Sequence, residues 1–96
     1  MTTETKWAGP ASALFRTLAS DTRLLILHHL RGGAKSADEL AGPIGVTKAK
    51  LAAHLQRLAR DNLVTMGRGK PASYSLARDN VFVVLDAARE MFEERE

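Results

Sequence analysis

The stretch from Ser36 to Leu76 constrains this chain more than any other part of it. Ser36-Ala37-Asp38-Glu39 has the form of a capping box, in which a serine and a glutamate three positions apart satisfy each other's backbone N–H groups at a helix start. Gly45-Val46 then makes a turn, and Thr47 offers an N-cap for a second helix, Lys48 to Arg60, whose Leu51, Leu55 and Leu58 form one apolar stripe. That stripe leaves Lys48, Ala49, Ala52, Ala53, Gln56 and Arg60 on or near the outward face. Asn62 suits a left-handed C-terminal cap. Leu63 to Met66 alternates as a strand, Gly67-Arg68-Gly69-Lys70-Pro71 turns, and Ser73 to Leu76 returns.

The helices on either side complete the pattern. Residues 1 to 9 lack periodicity and read as an arm; Trp7 within it is expected to pack against a partner subunit, a ligand contact being the lesser alternative. A short helix follows with Leu14, Phe15 and Leu18 at helical spacing. Ser20-Asp21 caps a helix ended by Gly32-Gly33, with Leu24, Leu25, Ile26, Leu27 and Leu30 covering most of its circumference, so this helix is expected to be central. Gly42-Pro43 is expected to interrupt the helix that Ser36 opens. Asn80 is expected to cap a last helix bearing Val81, Val84, Leu85, Ala88, Met91 and Phe92. The expected fold is mainly α with a small two-stranded antiparallel hairpin, in the order α-α-α-α-β-β-α. This is a winged helix-turn-helix, with the domain spanning residues 10 to 96.

Charge follows the same division. Residues 48 to 78 carry seven basic residues against Asp61 alone, a net of +6, whereas residues 79 to 96 carry two basic residues against six acids, a net of −4. A charge cluster is ordinarily a solvated face; its coincidence with the helix-turn-helix makes it an electrostatic footprint for phosphates. The chain has no cysteine, which excludes disulfides and thiolate metal sites. With no apolar run near the length of a membrane span and no apolar core in Met1 to Lys6, the expected location is the cytoplasm, associated with the nucleoid through DNA.

The segment Leu14 to Leu27, the helix Thr47 to Arg60 followed by Asp61-Asn62-Leu63-Val64, and the hairpin ending Tyr74-Ser75-Leu76 resemble the ArsR/SmtB family of bacterial repressors over about residues 11 to 92. The resemblance implies a homodimer whose first and last helices form the interface and whose two recognition helices meet successive major grooves of a palindromic operator. It also implies release by an inducer, often a metal ion. Here the chain departs from the family: it lacks the cysteine motif, and Asn80 to Glu96 contains no histidine. No metal site and no cofactor are expected, and no inducer is readable.

The expected DNA-binding residues are Thr47, Lys48, Ala49, Lys50, Ala52, Ala53, His54, Gln56, Arg57, Arg68 and Lys70. Lys48 and Lys50 lie in the first turn of the recognition helix, where side chains reach base edges or phosphates. Family members often carry Ser and His where Ala49, Ala52 and Ala53 stand. Alanine limits readout to apolar contact with thymine methyl groups, so base choice falls mainly on Lys48 and Gln56; the same alanines also serve helix propensity. Arg68 and Lys70 at the hairpin tip suit phosphates or a narrow minor groove, or simply keep the edge soluble. Arg57 and Arg60 alternatively pair with Asp61 or a neighbouring chain. His28 and His29 point about 100° apart on a helix and cannot chelate one ion from one face. His54 matches a family position where a hydrogen bond to backbone or phosphate is expected. Trp7, Leu14, Phe15, Leu18, Val81, Val84, Leu85, Ala88, Met91 and Phe92 are the expected dimer interface, with one edge of the last stripe reserved for the chain's own core.

No nucleophile with an adjacent base, phosphate-cradling loop or carboxylate pair is recognisable, so the chain is not expected to be an enzyme. The leading expectation is a sequence-selective regulator that binds double-stranded DNA as a homodimeric repressor. The alternatives are a protein-interaction module presenting Asp86, Glu90, Glu93, Glu94 and Glu96, or the regulatory half of a longer ArsR-sulfurtransferase type of protein.

Overall fold

Three of the five helices begin at a side-chain N-cap. The computed structural model describes residues 5–93. Helix α1 spans Ala8–Leu18 and α2 spans Asp21–Leu30. Strand β1 is Lys35–Ser36, followed by α3, Ala37–Ile44, and α4, Lys48–Arg60. Strands β2, Val64–Met66, and β3, Ser73–Leu76, precede α5, Val81–Phe92. Ser20 accepts the Arg23 N–H at the start of α2. The Ser36–Glu39 capping box closes in both directions at 2.9 and 3.2 Å, and the Ser36 N–H holds the Glu39 carboxyl below its ordinary pKa. Thr47 accepts the Lys50 N–H at the start of α4. At its end Asn62 takes the left-handed conformation, φ 60°, with Leu63 N–H donating to Leu58 O and Asn62 N–H to Ala59 O.

Three helix boundaries and the sheet differ from expectation. Helix α1 begins at Ala8, so Gly9-Pro10 belongs to its first turn, where proline's missing N–H costs nothing; the expected arm is reduced to residues before it, of which 1–4 lie outside the described residues. Helix α3 runs through Gly42-Pro43 to Ile44. Pro43 sits in the last turn, and the carbonyl it would have served belongs to exposed Glu39, which water reaches. Gly45 then ends the helix with φ 81°, its N–H bonded to Ala41 O. Asn80 makes no side-chain cap; α5 is entered through a tight turn in which Phe82 N–H donates to Asp79 O and Val83 N–H to Asn80 O. The sheet has three antiparallel strands, in order β1-β3-β2, where a two-stranded hairpin was expected. Lys35 pairs with Tyr74 and Ser36 with Ser73; two residues carry no alternation by which a sequence reveals a strand.

The core is built around α2 and α4. Ile26, Leu27 and Leu30 of α2 and Leu51, Leu55 and Leu58 of α4 are buried and meet Leu40, Leu63, Val64 and Phe82. The expected envelopment of α2 is only partial: Leu24 and Leu25 remain 37% and 43% exposed. Two polar links join distant elements to this core. The Thr17 hydroxyl in α1 donates to the Asp61 carboxylate, which also accepts from Arg57 Nε at 3.1 Å. These contacts hold the Asp61 carboxyl below its ordinary pKa, the Thr17 bond contributing most. Arg31 makes a two-pronged contact with Asp86 at 2.7 and 2.9 Å and lies 4.3 Å over the Phe82 ring, tying α2 to α5. The same pairing lowers the pKa of Asp86 and raises that of Arg31.

Leu55→Ala should lower stability by about 2–4 kcal/mol in urea unfolding, whereas Ala53→Ser on the exposed face should change it by less than ~0.5 kcal/mol. Because the folded-state pKa of Asp61 is depressed, its stabilising contribution is present at neutral pH and is lost as pH falls below about 4. Asp61→Asn should therefore be less stable than the parent at pH 7, and the difference should shrink on acidification. A constant difference from pH 7 to pH 2.5 would contradict this assignment.

Candidate nucleic-acid interface

Burial of the leucine stripe turns the remaining faces of α4 outward. Lys48, Ala49, Lys50, Ala52, Ala53, Gln56 and Arg60 are all exposed. Thr47 is exposed as a residue, but its hydroxyl is engaged in capping, 3.2 Å from the Lys50 nitrogen. Lys48 Nζ lies 3.1 Å from Asp38 Oδ1 of α3 with both side chains mostly exposed. Such a pair contributes little in water and gives way readily to a phosphate. Lys50, Gln56 and Arg60 are the polar groups of this helix that project without a hydrogen bond or ion pair among the described contacts.

Two expected contact residues are held by neighbours inside the domain. Arg57 is paired with Asp61, the alternative read from the sequence. His54 is half-buried, with Nδ1 3.1 Å from Arg23 Nη1 of α2, and Arg23 Nε donates to the Thr17 carbonyl at 2.6 Å. His54 Nδ1 is thus engaged by a side chain of the domain, while its Nε2 makes no hydrogen bond among the described contacts. Thr17, Arg23 and Asp38 were not identified from the sequence as neighbours of the recognition helix. They stand 44, 31 and 10 positions from their partners, and one chain gives no local pattern for such pairs.

The wing is set by β2 and β3, in register through Val64–Leu76, Thr65–Ser75 and Met66–Tyr74. The Gly67 N–H closes on Ser73 O at 2.6 Å, and a Cβ at residue 67 would stand 3.1 Å from Ser73 Oγ, close enough that the serine side chain would have to shift. Gly69 has φ +155°, a conformation that side chains disfavour. Arg68 and Lys70 flank it, both exposed. The tip thus carries two cations on a loop free of bulky groups.

The opposite region has a different character. Of the expected interface residues, Leu18, Val81 and Leu85 are buried in the chain's own core, and Leu14 and Val84 are half-buried against it. Trp7, Phe15, Ala88, Met91 and Phe92 are exposed, Met91 and Phe92 at 78% and 83%. Between α2 and α5 runs a groove of about 370 Å³ with Leu24, Phe82, Leu85 and Phe92 along it and Asp86, Arg89 and Glu93 at its rim. Arg89 pairs with Glu93 at 2.8 Å. Glu94 and Glu96, named in the acidic platform, lie outside the described residues. His28 and His29 meet edge to face, ring centroids 5.5 Å apart. Among the described residues no group of three His, Asp or Glu side chains is placed to hold a metal ion.

Comparison with known proteins agrees with this geometry. A helix-turn-helix domain family matches residues 18–67. No match is found among curated proteins. Among solved structures, NolR from Sinorhizobium fredii is 30% identical, with 96% of this chain and 94% of that chain covered and a TM-score of 0.83. The transcriptional repressor BigR from Xylella fastidiosa is 26% identical, with 99% and 100% covered and a TM-score of 0.87. The homodimeric winged helix-turn-helix DNA-binding domain Mb0332 from Mycobacterium bovis, described as a possible ArsR-family regulator, is 24% identical, with 100% and 94% covered and a TM-score of 0.80. The helix-turn-helix match across half the chain, the end-to-end likeness to these regulators and the wing beside a basic second helix identify the chain as a member of the ArsR/SmtB family of winged helix-turn-helix transcription regulators.

Proposed function

We propose that the chain is a sequence-selective repressor that binds double-stranded DNA as a homodimer on an imperfect palindrome, with no catalytic activity of its own. The observation that carries this reading is the burial of Leu51, Leu55 and Leu58, which leaves the basic and alanine-lined faces of α4 in solvent beside a wing tipped by Arg68 and Lys70. Lys50 and Lys48 supply charge to the groove, Gln56 offers a two-sided amide for a base edge, and Ala49, Ala52 and Ala53 permit close approach with apolar contact to thymine methyls. Most of the affinity then comes from phosphates, so binding weakens steeply with salt. BigR is a transcriptional repressor, and the Mb0332 DNA-binding domain is homodimeric.

The dimer reading rests on exposed Trp7, Phe15, Met91 and Phe92 at the ends of α1 and α5. A chain of 96 residues gains by covering such a surface with its own copy. Two copies also double the basic surface and set two recognition helices about one helical turn of DNA apart. The described residues contain no helix long and apolar enough to cross a membrane, and the cytoplasm, on the nucleoid, is the location this function requires.

Selection of bound duplexes from random DNA, run at two salt concentrations, should enrich an inverted repeat whose half-sites lie about 10 bp apart. Enrichment of no motif would favour a protein-binding role over this one. In sedimentation without DNA the protein should run as a dimer at micromolar concentration, and Phe92→Glu should shift it toward monomer; a monomeric parent chain would contradict the two-fold reading.

A further inference from the structure

Arg23 is the one side chain of α2 that reaches the recognition helix by hydrogen bonds among the described contacts. Its Nε donates to the Thr17 carbonyl at 2.6 Å, and its Nη1 stands 3.1 Å from His54 Nδ1. A guanidinium has five N–H donors, no acceptor, and stays protonated at any pH a folded protein meets. Nδ1 of His54 must therefore be the acceptor, which places the ring's hydrogen on Nε2. Among the described residues no buried side-chain nitrogen or oxygen lacks a partner, so Nε2, for which no protein partner is found, remains open to solvent.

The position of His54 on α4 indicates what Nε2 meets. At 100° per residue, Leu51, Leu55 and Leu58 define the inward direction, and His54 falls on a flank of the helix shared with Lys50 and Arg57. The centre of the outward face belongs instead to Ala49, Ala53 and Arg60, with Gln56 beside them. In a helix lying in the major groove, the centre faces base edges and the flanks face the sugar–phosphate walls. Phosphate oxygens only accept hydrogen bonds. An Nε2–H ring donates to them, whereas the opposite tautomer would turn a lone pair toward them.

We propose that Arg23 is a positioning residue for DNA binding: by donating to Nδ1 it fixes the orientation and tautomer of His54, so that His54 Nε2–H donates to a backbone phosphate. This rests on the DNA-binding reading above and adds a residue on a different helix that acts without touching the duplex. Fixing a ring nitrogen through a bond to the other one is the general means by which proteins set which side of an imidazole donates. The bond from Arg23 Nε to Thr17 O holds the guanidinium while its Nη1 does so.

The test is a double-mutant cycle on Arg23→Met and His54→Ala, with fluorescence anisotropy against a labelled duplex enriched by selection and Lys50→Ala as reference. His54→Ala and Arg23→Met should each weaken binding about tenfold, the scale of one hydrogen bond to a charged group. The double variant should bind within about twofold of His54→Ala, since the second change removes a group whose effect passes through the first. Neither change should alter the slope of log affinity against log salt, because His54 is a neutral donor and Arg23 meets no phosphate. Lys50→Ala should reduce that slope by about 0.9. Multiplying losses in the double variant, a flatter slope in Arg23→Met, or unchanged affinity in His54→Ala would overturn the proposal while leaving the DNA-binding reading intact. Absence of DNA binding by the parent chain would overturn both. If Arg23→Met does not fold, ¹⁵N spectra of the histidine rings in the parent protein still decide: a proton on Nε2 of His54 is required, and a proton on Nδ1 excludes a bond from Arg23.

Discussion

Burial of three leucines on α4 determines what the rest of the molecule can present. Leu51, Leu55 and Leu58 are sealed against Ile26, Leu27, Leu30 and Leu40, and that packing fixes the rotation of α4 about its own axis. A rotation of one residue, about 100°, would bury Lys or His and expose leucine, so no alternative is close in energy. The caps fix the other degrees of freedom. Thr47 sets where α4 begins and left-handed Asn62 sets where the chain leaves it, directing Leu63 and Val64 into the core and the hairpin outward beyond them. The wing and the reading face are thus positioned by the same apolar seam.

Polar contacts divide the molecule into two regions around that seam. On the reading side, Thr17–Asp61–Arg57 and Thr17–Arg23–His54 converge on the junction of α1 and α2 and attach it to the flank and C-terminal end of α4. Each link is partly shielded from water, which makes it firmer than the open Lys48–Asp38 pair. On the far side, Arg31 grips Asp86 across the Phe82 ring and sets α5 against α2, leaving Met91 and Phe92 uncovered beyond it. Helix α1 belongs to both regions, with Thr17 facing the recognition helix and Phe15 facing solvent. A surface covering α1 and α5 is therefore mechanically continuous with the reading helix through Thr17.

What was legible in the sequence was local. The capping box at Ser36, the Thr47 cap, the Asn62 terminus and the leucine stripe are signals within one or two helical turns, and each stands in the structure where its residues place it. The errors were also local in origin. Pro43 is permitted because it falls in a last turn, Asn80 loses its capping role to a tight turn at Asp79, and β1 is too short for its pairing with Tyr74 to leave a pattern. The candidate site was legible as a list of outward residues on α4 and the wing. Which of them are engaged within the domain was not, because Arg23 with His54 and Thr17 with Asp61 are pairs made by tertiary packing across 31 and 44 residues.

The central claim is that the outward face of α4 and the wing tip together form the DNA-reading surface. Mapping backbone amide shifts while titrating the ¹⁵N-labelled protein with a selected duplex tests it most directly. The largest changes should fall at Lys48 to Arg57 and at Gly67 to Lys70, with Asp86 to Glu93 of α5 little affected. Changes centred on α5, with α4 and the wing silent, would contradict the account.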